Sequence, residues 1–125
     1  MNYIHRILII FSFIIFYSCD KELHEDFIVR NNLQVNIEVH FETFTNEYGE
    51  VVIQPNSEVI VHQTRGFGNS VHKTEISRWF KSFEVTKEDT IESSINYLLD
   101  ENWKYHELSD TQAEYLLVVN EMHFN

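Results

Sequence analysis

The stretch that decides the fold is Leu33–Phe44, which reads LQVNIEVHFETF. Apolar and polar side chains alternate along it, with apolar residues at Leu33, Val35, Ile37, Val39 and Phe41. Successive side chains of a β-strand point to opposite faces of a sheet, so this alternation predicts a strand with one face in a core. A turn over Asn46–Gly49 follows, in which Gly49 is expected to supply a positive φ angle.

The rest of the chain adds further segments of this kind. They are short, rich in β-branched and aromatic residues, and cover 50–53, 58–64, 71–85 and 114–124. Such side chains suit a pleated surface and lose rotamer freedom in a helix. Residues 87–101 fit either a hairpin or a short helix, and the hairpin is favoured. We therefore predict an all-β chain that forms a small antiparallel β-sandwich after an N-terminal signal helix.

The first residues, Met1–Cys19, differ in character from the remainder. They read MNYIHRILIIFSFIIFYSC, with a basic residue at Arg6, an uncharged apolar run over Ile7–Tyr17 and the single cysteine at the end. This order is typical of a secretory signal peptide. The run is short for a transmembrane helix, which needs about 20 apolar residues, and an uncleaved membrane anchor is the alternative.

The Ser18-Cys19 end of this run resembles the signal of bacterial lipoproteins, in which a small residue precedes a cysteine that becomes the lipidated N-terminus. The resemblance implies that residues 1–18 are a signal peptide and that Cys19 carries acyl chains such as palmitate. It implies a cell-membrane location, with a lipid anchor in the outer membrane, on its periplasmic or surface face, if the cell is Gram-negative. Two or more acyl chains hold a protein at a bilayer firmly, whereas one binds marginally.

The organisation expected for the remainder is a tether followed by one domain. Residues 19–32 contain the lipidated cysteine and the acidic segment DKELHED, which is predicted to be a flexible tether or, alternatively, a surface-export tag. Phe27–Val29 can add a short first strand to the domain. The β-sandwich domain is expected over residues 33–125.

Charge and cysteine content exclude one class of partner and one means of stabilising the fold. The 125 residues include 20 acidic and 9 basic side chains, which gives a formal net charge of −11. So acidic a protein is repelled by phosphates, and nucleic acid is therefore not an expected partner. With one cysteine in the chain, no disulfide within the chain can hold the fold, and the hydrophobic core must do so.

Two family resemblances agree on a β-sandwich. Asp110–Val119 (DTQAEYLLVV) resembles the stretch of immunoglobulin-like domains around the tyrosine corner, with Tyr115 as that tyrosine and Trp79 as the buried tryptophan. Residues 33–61 are similar to the opening of transthyretin-like sandwiches, where a strand, a glycine turn and a second strand follow one another. Both resemblances imply a fold, and neither implies an activity.

The strongest candidate for chemistry is the row Glu38, His40 and Glu42 on the polar face of the first strand. Side chains two residues apart lie about 7 Å apart, so a shared metal would need a further ligand from a neighbouring strand. His62 and His72 are the candidates for that ligand. No spacing matches a zinc or calcium motif. The simpler interpretation is that these residues form the wet face of an amphipathic strand.

A second candidate is an aromatic surface for sugar rings or an apolar partner, formed by Phe67, Trp103 and Tyr105. The simpler interpretation places Trp103 and Tyr105 in the core and lets Phe67 hold its loop. The flexible Arg65–Ser70 loop and the turn at 100–102 are predicted to form the partner-binding end of the sandwich. The predicted binding surface is therefore Arg65, Phe67, Trp103 and Tyr105.

These observations together favour a binding or scaffolding role over catalysis. The chain has no Gly-x-Ser-x-Gly motif, no dinucleotide loop and no free thiol after lipidation, so no enzyme and no cofactor are predicted. The expected partners are a membrane, through lipid on Cys19, and an envelope protein or glycan. The alternative is a metal- or ligand-dependent enzyme that uses Glu38, His40, Glu42 and His62. A structural subunit of a surface fibre is a third possibility.

Overall fold

The structure, a computed structural model, describes residues 20–125, so the predicted signal peptide and Cys19 lie outside the described residues. These residues form eight strands: β1 (Lys21–Asn31), β2 (Ile37–Thr43), β3 (Tyr48–Ile53), β4 (Glu58–Gly68), β5 (Phe80–Lys87), β6 (Ile91–Glu92), β7 (Trp103–Ser109) and β8 (Gln112–Val119). Short 3₁₀ turns occupy Ile76–Arg78, Asp100–Asn102 and Glu121–Phe124. Over residues 20–125, no helix has the length and apolar character needed to cross a membrane.

The strands form two four-stranded sheets that pack face to face. The first sheet has the order β4-β1-β8-β7 and the second has the order β3-β2-β5-β6. Every neighbouring pair is antiparallel except β1 and β8, which run parallel. The prediction of an all-β chain folded as a small β-sandwich is confirmed.

The core forms where the inner faces of the two sheets meet. On β2 the expected alternation is present, because Ile37, Val39 and Phe41 are buried while the intervening residues are partly exposed. On β1, the Phe27 ring stacks 4.8 Å from that of Tyr115 and lies 5.1 Å from that of Phe80. Aromatic pairs of this kind contribute about 0.5–1.5 kcal/mol beyond the area they bury.

A buried amide joins the two sheets at one end of the sandwich. Asn31, the last residue of β1, is fully buried, and its Nδ2 donates to the carbonyl oxygens of Val35, Ile53 and Gln54 at 2.8–3.1 Å. Its Oδ1 accepts a hydrogen bond from the backbone N–H of Leu33 at 2.9 Å. The side chain thus satisfies backbone groups that would otherwise be buried without partners.

The expectation of a flexible tether over residues 19–32 is wrong for the part that the structure describes. Residues Lys21–Asn31 form β1, which hydrogen-bonds to β4 on one side and to β8 on the other. Backbone hydrogen bonds do not depend on side-chain type, so the charged residues at the start of the strand are compatible with pairing on both edges. The apolar side chains of Phe27 and Val29 then anchor the strand in the core.

Three other segments also differ from expectation. Residues 71–79 are irregular and contain a 3₁₀ turn, so β5 begins at Phe80 and not at Val71. Between the end of β5 at Lys87 and the 3₁₀ turn that begins at Asp100, the two-residue strand β6 pairs with the end of β5, and residues 93–99 are irregular. The last strand ends at Val119, where the side chain of Asn120 accepts a hydrogen bond from the Met122 N–H and starts a 3₁₀ turn.

Candidate functional site

The predicted aromatic surface is not assembled. Trp103 is only 5% exposed, and its indole Nε1 donates to the carbonyl oxygen of Tyr97 at 2.8 Å. Tyr105 is half-buried with its ring 5.0 Å from that of Tyr115. Phe67 is 77% exposed near the end of β4, where it lies opposite Glu22. Trp103 is therefore packed inside the fold, and the binding-surface prediction is wrong for that residue.

Phe67 belongs to the end of the sandwich at which the described chain begins. We call this the β1-start end and define it by Lys21, Phe67, Leu108 and Asp110. Lys21 pairs with Gly68 in the β1–β4 ladder, and its Nζ lies 4.0 Å from a carboxylate oxygen of Asp110. Phe67 and Leu108 are both exposed apolar side chains. This end therefore presents two apolar side chains to its surroundings.

A groove between the two sheets contains the other predicted surface residue, Arg65. We call it the arginine–tryptophan groove and define it by Phe44, His62, Arg65, Arg78 and Trp79. β4 provides two of these residues, the 3₁₀ turn and its end provide Arg78 and Trp79, and Phe44 follows β2. The groove has a volume of about 360 Å³. That volume is at the small end of the range for ligand sites in proteins.

The charges in the arginine–tryptophan groove have few internal partners. Among the ion pairs of the described residues, Arg65 takes part in none, and Arg78 has only the solvent-exposed Glu75 at 3.7 Å. The buried Trp79 Nε1 has no hydrogen-bond acceptor among the described residues. Guanidinium groups are donors without acceptor capacity, so the part of the groove beside Arg65 and Arg78 suits an anionic group. The carboxylate of Glu47 also lines the groove and lies 3.7 Å from the Nδ1 of His62.

His62 forms the inner wall of the groove and cannot provide a metal ligand at the outer face of β2. Its ring lies 5.6–5.8 Å from the rings of Phe27, Phe41 and Phe80 in the core. Burial lowers the pKa of His62 below its ordinary value, and the carboxylate of Glu47, whose oxygen lies 3.7 Å from Nδ1, partly opposes this effect. Burial therefore disfavours the charged form of His62.

The outer face of the second sheet brings together a different set of ligand types. His40 lies in the middle of this face, with Glu50 directly opposite on β3 and Glu84 directly opposite on β5. Its Nε2 lies 3.1 Å from a carboxylate oxygen of Glu38. One ligand atom from each of Glu38, His40 and Glu50 lies within 4.8 Å of the other two.

The Glu38 and Glu50 carboxyl groups are close enough to interact strongly. A hydrogen bond shared with Glu50 raises the pKa of Glu38 above its ordinary value, and desolvation raises it further. The nearby imidazole of His40 opposes this shift. Two carboxylates at such a distance repel each other unless a proton or a cation lies between them.

The other residues of the predicted metal set lie elsewhere. Glu42 is on the same face, but one of its carboxylate oxygens lies 3.3 Å from the Nζ of Lys81. His62 faces the core from the opposite sheet, and His72 lies near Glu25, a residue of β1 in the first sheet. The set Glu38, His40, Glu42 and His62 is therefore not assembled as predicted. Sequence reasoning missed Glu50 and Glu84, because only the pairing register places them beside His40.

Comparisons with known proteins add no family to this geometry. No family model matches the chain, and no curated protein and no solved structure is significantly similar to it.

Proposed function

We propose that the protein is a lipid-anchored, non-catalytic binding module of the cell envelope, whose arginine–tryptophan groove recognises an anionic group on an envelope protein or glycan. The observation that carries the binding part of the proposal is the groove itself. In a chain with a net charge of −11, it places Arg65 and Arg78 beside the aromatic side chains of Phe44 and Trp79. Arginine recognises carboxylates in a bidentate manner and stacks on planar groups.

The anchoring part of the proposal is supported by the apolar run that ends at Cys19 and by the position of β1. That strand begins at Lys21, two residues after the cysteine. An extended residue spans at most about 3.5 Å, so β1 begins within roughly 7 Å of Cys19. Acyl chains on Cys19 would hold the β1-start end at the bilayer, with Phe67 and Leu108 exposed beside the lipid. The groove contains Arg65, two residues before Phe67 on β4, so the proposed binding site lies close to this end of the sandwich.

The anchor is tested by the mass of the protein made in its native host. We expect the wild-type protein to begin at Cys19 and to carry at least two acyl chains, and to stay with membranes after a high-salt wash. Cys19→Ala should abolish the acyl mass and release the protein from the membrane fraction. A wild-type protein that begins at Met1, or that carries an unmodified Cys19 thiol, would contradict the anchor.

The groove is tested by photo-crosslinking of the full chain in living cells. A photoreactive amino acid at Phe44 should give a crosslinked species that disappears when Arg65 and Arg78 are both changed to Gln. The control position is Val52, which is also exposed but lies on the outer face of the second sheet. Equal crosslinking from both positions, or a species insensitive to the arginine changes, would overturn the groove as the binding site.

One observation supports the alternative function, a metal- or ligand-dependent enzyme. The described residues do bring three potential metal ligands together at Glu38, His40 and Glu50, although Glu42 and His62 are not part of the set. The enzyme hypothesis then requires a substrate that reacts at the open outer face of the second sheet. Metal-dependent hydrolytic turnover of envelope peptides or glycans by the purified full chain, lost in His40→Ala, would favour it over the binding module.

A further inference from the structure

We infer that Glu38, His40 and Glu50 form a site for a divalent transition-metal cation of the Zn²⁺ type on the outer face of the second sheet. The site uses one nitrogen ligand and two carboxylate oxygens. It lies on a different face of the molecule from the arginine–tryptophan groove and does not depend on the lipid anchor.

The pairing of β2 with its two neighbours places the ligands. His40 is on β2, the central strand of the triplet β3-β2-β5, and Glu50 is its direct partner on β3. Directly opposed side chains have Cβ atoms about 4.5–5.5 Å apart, which is a suitable span for a shared ion. Glu38 reaches the same point from two residues along the strand, and its carboxylate oxygen already lies 3.1 Å from the His40 Nε2.

The chemistry of the ligands selects the class of cation. Zn²⁺ binds imidazole nitrogen at about 2.0–2.1 Å and carboxylate oxygen at about 2.0–2.2 Å, usually with four ligands. The three ligand atoms lie within 4.8 Å of one another, so modest side-chain rotation brings them around one ion. Ca²⁺ and Mg²⁺ take oxygen ligands, and His40 at the centre disfavours both. A water molecule or the Glu84 carboxylate, across from His40 on β5, completes the coordination.

The surrounding charges distinguish this cluster from an ordinary wet strand face. Glutamates flank His40 on both sides along β2 and on both neighbouring strands. Over residues 20–125, Lys81 forms an ion pair with Glu42, whereas no lysine or arginine forms one with Glu38, Glu50 or Glu84. Three carboxylates around a nitrogen ligand therefore have no cationic side chain to neutralise them. A divalent cation supplies that charge.

Zinc titration of the full chain, purified in detergent and freed of metal with a chelator, tests the inference. We expect one Zn²⁺ per chain by calorimetry and by elemental analysis, with Co²⁺ giving the visible absorption of a site with nitrogen and oxygen ligands. His40→Ala and Glu50→Gln should each weaken Zn²⁺ binding by at least about tenfold. Ca²⁺ and Mg²⁺ at the same concentrations should not compete.

Two matched variants separate this site from the set expected from the sequence. Glu42→Gln and His62→Gln should each bind Zn²⁺ as the wild type does, because Glu42 pairs with Lys81 and His62 faces the core. Circular dichroism and thermal melts check that every variant is folded. Wild-type protein that takes up no stoichiometric Zn²⁺, or Glu42→Gln and His62→Gln variants that lose as much affinity as Glu50→Gln, would overturn the site.

Discussion

Gly49 is the residue whose lack of a side chain matters most in the second sheet. It lies directly opposite Phe41, and a Cβ atom at position 49 would overlap carbons of the Phe41 ring. That ring is buried and packs 5.4 Å from the ring of Phe80 and 5.9 Å from the ring of Phe83. We therefore expect Gly49→Ala to lower the free energy of unfolding by about 1–3 kcal/mol, because the ring must leave its position.

Gly66 provides the matched control for this experiment. It is also a strand glycine, on β4, and a Cβ atom there would meet no other atom within 4 Å. Gly66→Ala should change the free energy of unfolding by no more than about 0.5 kcal/mol. Urea unfolding followed by tryptophan fluorescence measures both variants. Equal decreases in the free energy of unfolding of the two variants would show that the Phe41 ring does not cause the effect of Gly49→Ala.

His62 predicts a pH dependence of stability. Its pKa is lowered by burial in the folded state, so the unfolded chain binds more protons than the folded chain as the pH falls through the ordinary histidine range. The free energy of unfolding should therefore decrease as the pH is lowered from about 7.5 to 5.5. In His62→Gln this contribution is removed and the decrease should be smaller.

The control for the pH experiment is His106→Gln, because His106 is exposed on β7. Its pH dependence should match that of the wild type. Urea unfolding at several pH values gives the slopes, and an NMR titration of the His62 ring reports its pKa directly. A wild-type slope in His62→Gln, or an NMR pKa at or above the ordinary value for histidine, would contradict the assigned environment.

At the scale of elements, β1 decides where the domain begins. It lies between β4 and β8 and therefore hydrogen-bonds along both of its edges. A chain that starts at Asp20 should fold, whereas a chain that starts at Asn32 should not, because it lacks a central strand with Phe27 and Val29. Near-ultraviolet circular dichroism and dispersion of NMR amide signals distinguish the two. If the chain that starts at Asn32 folds, residues 20–31 are not required by the domain, and they act as a tether.

The alternation in β2 could be predicted from the sequence, whereas the boundaries of β1 could not. The alternation is a local property, since each side chain faces core or water according to its own position. The pairing of β1 with β8 joins residues that are distant in the sequence, and the charged first half of β1 gives no local signal for a strand.

The positive φ expected at Gly49 occurs instead at Asn46, with a φ angle of 62°, and Gly49 is part of β3.

The same distinction explains the candidate sites. Glu38, His40 and Glu42 could be placed on one face from their spacing alone. Placing Glu50 beside His40 requires the turn after β2, in which Thr43 N–H donates to the Glu47 carbonyl at 2.9 Å and so sets the register of β3. The arginine–tryptophan groove requires tertiary packing, because Arg65 lies on β4 whereas Arg78 lies in the 3₁₀ turn before β5. Patterns in one segment cannot specify such contacts.

At the scale of the whole molecule, the excess of acidic residues predicts a stabilising effect of salt. A net charge of −11 produces repulsion within the folded chain, and dissolved ions screen it. The melting temperature should therefore rise when NaCl is increased from 0.01 to about 0.5 M, in the presence of a chelator. Choline chloride should act equally, since screening needs no coordination. A rise confined to NaCl would contradict screening as the cause.

The parallel pairing of β1 with β8 has a consequence for biosynthesis. The ribosome makes the first of these strands many seconds before the second at ordinary rates of synthesis. Until β8 emerges from the ribosome, β1 has one open edge, and the core lacks the buried side chains of Tyr115 and Leu117. The first sheet therefore cannot close around β1 until residues 112–119 have been synthesised and have left the ribosome.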